Sequence, residues 1–490
     1  MRKKPNLLFI FTDEQSADTL GCYGNTRIDT PNLDRLAADS VVFDRAYATE
    51  SVCTPSRSSI MTGLYAHTNG CARNNAALPL EVPCLPEMGD FREYVTGYYG
   101  KWHLGDEVFP QHGFAHWRSI DDGYRPHYRA WRDPFARSTY YHYLVEQGYV
   151  PDATRADGFD YFSRPYCARL PEAHSKPAYL GREASQFIRD HAAEPFVLFV
   201  NFFEPHFPYF GPRDGQYDLE EVTLPASHGR WPANDHSLKA RLLARGFHAH
   251  GCDAGPLENE ADWRRVVASY WGLVSQVDTH TGVILDTLEA CGLADDTIVV
   301  FTSDHGDMMA AHGLLCKCVQ YEEAVRVPLL LRVPGLAEGG RHIEAPVGQI
   351  DLVPTLLRAM GQPVPDHLEG YDWAPYLRGE GPLTEENVYV EWTGNDGWGH
   401  GVKGGHILAS WLDVAPEATI RDAMTGWPAL TIITPEGWKY TRRPQGVDEL
   451  YDLHADPGEL RNLAGDETHV TRIEALRAQM AAWRERTRAQ

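Results

Sequence analysis

The chain has little positive charge and no basic tract. Its 490 residues include 45 Lys and Arg against 68 Asp and Glu, which gives a formal net charge of −23. Nucleic-acid binding relies on clustered Lys and Arg, so the composition argues against a nucleic-acid partner. The overall field would repel an anionic substrate, whose binding would therefore need a local cluster of Lys, Arg, His and metal.

Long apolar runs and a disulfide pattern are also missing. No stretch of the sequence approaches the roughly 18 consecutive apolar residues that predict a membrane-spanning helix. The first apolar run, at residues 7–11, has only five residues and ends at acidic residues, unlike a signal peptide. Nine cysteines, an odd number scattered over the chain, do not indicate a disulfide framework. We therefore expect a cytoplasmic protein without a membrane segment.

Three short apolar runs indicate the strands of a buried parallel sheet. They lie at residues 6–12, 195–203 and 297–302, and each stops at polar residues. Apolar residues recur near helical spacing between them, as at residues 267–288, which predicts an α/β fold with helices flanking the sheet. Sites in such sheets form beyond the carboxyl ends of the strands, so the three strand ends point to one site.

The pattern changes towards the end of the chain. Short strand-like runs at residues 430–434 and 437–442 predict a small antiparallel sheet, and the tail has a helical pattern. We therefore predict a catalytic α/β domain over residues 1–380 and a smaller C-terminal α+β domain over residues 381–490.

The most informative segment is CTPSRSSIMTG at residues 53–63. Pro55 suits the first turn of a helix, which would place Cys53 at the positive N-terminal end, where backbone N–H groups favour an anion. Arg57 would lie one turn further along, where its side chain could hold the nucleophile or metal-bound oxygens. The ordinary alternative is a structural cysteine buried at a helix start.

This segment resembles the sulfatase signature, Cys-x-Pro-x-Arg with a following Thr-Gly. In that family, a formylglycine-generating enzyme oxidises the cysteine to formylglycine, whose hydrate supplies a hydroxyl nucleophile beside a divalent metal. The resemblance implies an alkaline-phosphatase-like fold, formylglycine at Cys53 and the modifying enzyme as a partner.

Acidic and histidine residues at two strand ends predict a metal site. Asp13 and Glu14 follow the first strand, and Asp304 and His305 follow a later one. Oxygen-rich ligands suit Ca²⁺, Mg²⁺ or Mn²⁺. The resemblance implies that these four residues and Cys53 surround one cation, with Ca²⁺ as the first expectation. Glu14 departs from the Asp that sulfatases usually have, and its longer side chain is also expected to reach the metal.

Three further segments match sulfatase stretches. They are GKWHLG at residues 100–105, EPHFP at 204–208 and HGLLCK at 312–317. The resemblance implies that Lys101, His206 and Lys317 bind the sulfate. It also implies that His206 protonates the leaving alcohol and that His103 acts as a base. A lone Lys or His is more often a surface or structural residue, so these roles rest on the resemblance.

Together these features predict a sulfatase that hydrolyses a sulfate monoester. The Tyr-, Trp- and Arg-rich segment at residues 124–143, with Arg129 and Arg132, and a Gly-rich loop with Trp398 and His400 slightly favour a saccharide sulfate. One alternative is a phosphonate monoester or phosphodiester hydrolase of the same superfamily, because the first metal pair is not Asp-Asp. Another is a non-catalytic anion-binding protein in which the signature cysteine stays a thiol.

Overall fold

The structure, a computed structural model, describes residues 4–251, 255–335, 339–381, 383, 386–394 and 409–488. Within these ranges the strands are β1 (Asn6–Asp13), β2 (Val41–Phe43), β3 (Ala46–Tyr47), β4 (Val95–Gly100), β5 (His116–Arg118), β6 (Ala153–Thr154), β7 (Asp160–Tyr161), β8 (Phe196–Pro205), β9 (Thr297–Ser303), β10 (Arg326–Val327), β11 (Leu329–Arg332), β12 (Arg341–Ile343), β13 (Val347–Gly348), β14 (Val388–Trp392), β15 (Ala429–Ile433), β16 (Trp438–Arg442) and β17 (Glu449–Asp452).

The helices of the same ranges alternate with these strands. They are α1 (Pro31–Ala38), α2 (Cys53–Thr62), α3 (Ala66–Asn69), α4 (Thr139–Glu146), α5 (Arg164–Ala168), α6 (Lys176–Asp190), α7 (Leu238–His250), α8 (Glu260–Ala290), α9 (Glu322–Val325), α10 (Leu352–Ala359), α11 (Ala374–Leu377), α12 (Ala409–Leu412), α13 (Glu417–Thr425) and α14 (Val470–Arg488). None of them combines the length and apolar character that crossing a bilayer requires.

An eight-stranded, mostly parallel sheet forms the centre of the molecule. Its strand order is β12-β2-β11-β9-β1-β8-β4-β5. The three apolar runs of the sequence are the adjacent strands β9, β1 and β8, which pair in parallel. β11 runs antiparallel to both of its neighbours. The predicted α/β fold is therefore confirmed, and the antiparallel strand adds a reversal that the apolar runs did not indicate.

Strand β1 carries apolar side chains on both of its sides, so helices pack on both faces of the sheet. Leu8 and Ile10 belong to the apolar cluster that also contains residues of α6 and α8. Leu7, Phe9 and Phe11 belong to the cluster on the other face, which contains residues of α2 and α10. Side chains alternate between faces along a strand, so one short sequence anchors both helical layers.

The C-terminal part forms a separate antiparallel sheet of four strands, in the order β14-β15-β16-β17. Helix α14 docks on it through Ile473, Leu476, Met480 and Trp483, which recur at helical spacing and are buried. Tyr65 of the first part belongs to the same cluster. The predicted antiparallel sheet and docked helix are confirmed, whereas the domain boundary at residue 380 stays a prediction.

Candidate active site

The strands β1, β8 and β9 end side by side at one edge of the central sheet. Asp13 is in register with Pro205, and Thr12 is in register with Ser303. The polar residues that follow these strands are therefore brought together, as the sequence predicts for the carboxyl ends of parallel strands.

Cys53 is the first residue of α2 and is only 1% exposed. Its Sγ lies 3.3 Å from Lys317 Nζ, 3.4 Å from His305 Nε2 and 3.6 Å from Lys101 Nζ. Burial raises the pKa of the Cys53 thiol, and the charge of Asp13 adds to this effect while the two lysines oppose it. The predicted nucleophile position thus lies at a helix start, next to two lysine ammonium groups, the His305 ring and the Asp13 carboxylate.

Four buried ligand atoms converge at this position. They belong to Asp13, Cys53, Asp304 and His305, and all lie within 4.8 Å of one another. Carboxylate and imidazole groups at such spacing suit a divalent cation. In addition, Glu14 Oε1 is buried and has no hydrogen-bond partner among the described residues, which is unfavourable unless a cation or donor is nearby. The residues predicted to hold a metal therefore fit one.

Glu14 faces the lysine and histidine side of the site. Its Oε2 accepts a hydrogen bond from Lys317 Nζ at 2.8 Å and lies 3.4 Å from His206 Nε2. Together with Asp13 and His206 it forms another group of metal-ligand atoms, which shares Asp13 with the four at Cys53. Burial raises the pKa of Glu14 well above its usual value, although Lys317 opposes this. Its ligation of the predicted cation stays a prediction.

Arg57 links the two strand-end carboxylates. Its Nη2 donates to Asp13 Oδ2 at 2.7 Å, and its Nε donates to Asp304 Oδ2 at 2.8 Å. Lys101 Nζ also donates to Asp13 Oδ2. Burial alone would raise the pKa of Asp13, but Lys101 and Arg57 hold it well below its usual value. Of the two roles expected for Arg57, the structure shows contact with the metal-site carboxylates.

The imidazole of His103 is buried close to Lys101. Its Nε2 donates to Asn75 Oδ1 at 2.8 Å, while its Nδ1 has no hydrogen-bond partner among the described residues. Burial, together with the charge of Lys101, lowers the pKa of His103 well below its usual value. The lone pair of Nδ1 is therefore the position at which this ring could accept a proton as a general base. Asn75 was not predicted from the sequence.

His206 is also buried, and its Nδ1 donates to the carbonyl oxygen of Phe207 at 2.7 Å. Burial and the charge of Lys317 lower the pKa of His206 well below its usual value. An anion bound beside the ring would favour its charged form and oppose this shift. Proton donation by Nε2 would therefore depend on the bound substrate.

Comparison with known proteins identifies the family to which this chain belongs. The sulfatase family profile matches residues 5–362. The chain belongs to the sulfatase family. It is 28% identical to an ulvan-active sulfatase from Formosa agariphila, over 94% of this chain and 77% of that protein. It is 26% identical to an N-acetylglucosamine-6-O-sulfatase from Bacteroides thetaiotaomicron, over 97% of this chain and 85% of that protein.

The fold of this sulfatase is also found in a solved phosphonate monoester hydrolase. A phosphonate monoester hydrolase from Silicibacter pomeroyi superposes with a TM-score of 0.78, at 24% identity and covering 99% of this chain and 96% of that one. That likeness concerns the fold alone. With the family match, the sulfatase is a sulfuric ester hydrolase, and the non-catalytic reading of the sequence is not supported.

The sequence analysis missed two further buried residues, which hold the predicted site residues in place. Asn201 Oδ1 accepts a hydrogen bond from Arg57 Nη1 at 2.6 Å. Glu107 accepts from the backbone N–H groups of Trp102 at 2.9 Å and His103 at 2.6 Å, which fixes this turn of the sulfatase. The only sequence signal for Asn201 is that it interrupts the apolar run of β8.

The arginines that were expected to bind a saccharide form hydrogen bonds within the sulfatase. Arg129 Nη1 and Arg132 Nε both donate to Asp106 Oδ2, at 2.7 and 3.1 Å. Trp398 and His400 lie outside the described residues. The predicted contacts of these residues with substrate stay predictions.

Proposed function

We propose that this sulfatase hydrolyses a carbohydrate sulfate monoester, with formylglycine made from Cys53 and one divalent cation, for which Ca²⁺ is the first candidate. The observation that carries the proposal is the approach of Lys317, His305 and Lys101 to within 3.6 Å of Cys53 Sγ. The phosphonate reading rests on Glu14 alone, whereas the family match and the two sulfatase relatives favour a sulfate ester. The modifying enzyme as a partner and a cytoplasmic location stay predictions.

The cation and formylglycine supply complementary chemistry. Held by Asp13, Asp304, His305 and Glu14, a divalent cation supplies Lewis-acid polarisation of sulfate oxygens, and a formylglycine at position 53 supplies the hydroxyl nucleophile. The protein supplies the surroundings. Burial of the site lowers the local dielectric and strengthens every charge–charge interaction in it.

Lys101 and Lys317 neutralise the charge of the bound sulfuryl group. Both ammonium groups are fully or almost fully buried, at 0% and 1% exposure of their side chains, and both lie within 3.6 Å of Cys53 Sγ. They therefore need no reorganisation when charge develops on the sulfate oxygens. The N–H groups at the start of α2 add further positive potential at the same place.

The two histidines are assigned to proton transfer. His206 Nε2 faces the bound sulfate, and its charged form, favoured by that anion, donates a proton to the leaving alcohol. His103 Nδ1, which has no partner among the described residues, accepts a proton during release of sulfate. Their separate hydrogen bonds, to Phe207 O and Asn75 Oδ1, hold each ring in a defined tautomer.

A saccharide is proposed because an aromatic and cationic wall adjoins the sulfate site. The Tyr124 ring lies on His103 with 4.1 Å between ring centroids. Arg164 Nη2 donates to Tyr124 Oη at 2.9 Å and its Nε donates to Asp121 Oδ2 at 2.9 Å, while its side chain stays 29% exposed. Aromatic faces and half-exposed guanidinium groups suit sugar rings and their substituents. The two relatives compared above are named for a polysaccharide and an amino sugar.

Kinetics on esters with one leaving group test this proposal. Aryl sulfate, aryl phosphonate monoester and aryl phosphodiester substrates that share a phenol should be compared by kcat/KM, because leaving-group reactivity alone changes rates by powers of ten. We expect the sulfate to react fastest of these three. A higher kcat/KM on the phosphonate would overturn the assignment. Sulfated sugars should exceed simple alkyl sulfates, whose leaving alcohols are of comparable reactivity, and sulfated sugars that react no better than those alkyl sulfates would overturn only the saccharide part.

A further inference from the structure

A second set of metal-ligand side chains lies in the segments that flank β4 and shares no residue with the Cys53 centre. We propose that Cys84, Glu87 and His112 form a binding site for Zn²⁺ or a similar divalent transition-metal ion. Each offers one ligand atom, and these atoms all lie within 4.8 Å of one another. The inference does not depend on the proposed sulfatase mechanism.

Cys84 and Glu87 are fixed relative to each other by two reciprocal hydrogen bonds. The backbone N–H of Glu87 donates to the carbonyl oxygen of Cys84 at 2.8 Å, and Glu87 Oε2 accepts from the backbone N–H of Cys84 at 3.0 Å. The thiol and carboxylate are thereby held on one turn before any ion binds. Such preorganisation reduces the entropy that metal binding would otherwise lose.

His112 completes the group from the other side of β4. Its Nδ1 lies 3.4 Å from Glu87 Oε2. Nitrogen and oxygen ligands held at about 2.0–2.2 Å from a tetrahedral zinc ion lie roughly 3.3–3.6 Å apart. The existing separation of these two atoms therefore matches the spacing that a shared ion requires.

The imidazole of His112 points to a missing ligand. Its side chain is 0% exposed; its Nδ1 faces the Glu87 carboxylate, and its Nε2 has no hydrogen-bond partner among the described residues. A buried polar group left unpaired is unfavourable, and a metal ion is a common partner of a neutral imidazole. The Glu87 side chain is 34% exposed and gives the ion a route from solvent.

The three donor atoms select a different ion from the Cys53 centre. One sulfur, one nitrogen and one carboxylate favour Zn²⁺, Co²⁺ or Ni²⁺, whereas hard oxygen ligands favour Ca²⁺ or Mg²⁺. The Cys84 thiol must release its proton to solvent when it binds, so affinity should increase with pH. His112 packs against Trp102, with 5.8 Å between ring centroids. A bound ion would thus brace the turn that carries Lys101.

Cobalt titration in a Cys53→Ser background tests the site, because this substitution removes the other thiol next to a metal centre. We expect one equivalent of Co²⁺ per chain to produce a thiolate-to-metal charge-transfer absorption, and Zn²⁺ to abolish it. Adding Cys84→Ser should remove the absorption, since Ser is of similar size but supplies no thiolate. Adding Cys291→Ser, which changes a half-buried cysteine that belongs to no ligand group, should preserve it.

Two independent readouts accompany this titration. Glu87→Gln keeps the capping acceptor and should weaken Co²⁺ binding at least tenfold. Because both proteins keep the carboxylate and histidine ligands near position 53, Zn²⁺ should raise the thermal unfolding temperature of Cys53→Ser protein more than that of Cys53→Ser, Cys84→Ser protein. The proposal is wrong if Cys53→Ser protein gives no charge-transfer absorption, or if the absorption persists unchanged after Cys84→Ser in folded protein.

Discussion

Replacing Arg57 by Ala should destabilise the sulfatase strongly, and most strongly without metal. The Arg57 side chain is 1% exposed and pairs with Asp13 and Asp304 at 2.7 and 2.8 Å. Removing one partner of a buried ion pair typically lowers the free energy of unfolding by about 3–5 kcal/mol. Arg57→Lys keeps the charge but cannot reach all the acceptors of the guanidinium, so we expect a loss of about 1–3 kcal/mol.

Urea unfolding in EDTA and in saturating Ca²⁺ measures this effect. Because a bound cation neutralises the same carboxylates, the loss for Arg57→Ala should be smaller in Ca²⁺ than in EDTA. Arg92→Ala is the matched control, since Arg92 is 88% exposed and pairs with the exposed Asp90. The reasoning would be refuted if Arg57→Ala unfolded at the same urea concentration as this control, or if Ca²⁺ made no difference to its loss.

Three further predictions concern the metal, the sulfate site and pH. Chelation should abolish turnover, and Glu14→Gln should weaken metal affinity measured by calorimetry; unchanged affinity would show that Glu14 is not a ligand. Lys317→Ala should lower kcat/KM by about 10²–10³-fold, and a change below tenfold would contradict its proposed role. Burial raises the pKa of Glu204 from 4.5 to about 7. Relative to Glu204→Gln, the wild type should therefore lose stability as pH rises through this interval, and parallel pH–stability curves would contradict the assignment.

The sequence predicts those features that depend on local patterns. The apolar runs became β1, β8 and β9, because a strand buried on both faces must be apolar throughout. Pro55 correctly placed Cys53 at the start of α2. The predicted site residues were brought together because parallel strands end at one edge of a sheet.

Features that depend on long-range placement were not predictable. Asn201 accepts a hydrogen bond from Arg57, which is 144 positions away in the chain, so no local sequence pattern predicts the contact. The contact of Glu107 is local, with backbone N–H groups four and five positions away, but it was missed because nearly every residue has such a group and the sequence therefore does not indicate which one is bound. Lys317 is 303 positions from Glu14 in the chain, so the hydrogen bond between them depends on how that distant segment packs.

The chemical state of Cys53 tests the central claim most directly. Mass spectrometry of the peptide that contains Cys53, in preparations with and without a formylglycine-generating enzyme, should be compared with sulfatase activity. We predict that active protein carries the lighter, aldehyde-reactive formylglycine peptide and that activity rises in proportion to its fraction. Fully unmodified Cys53 protein that hydrolyses sulfate esters as fast as the modified form would contradict the account.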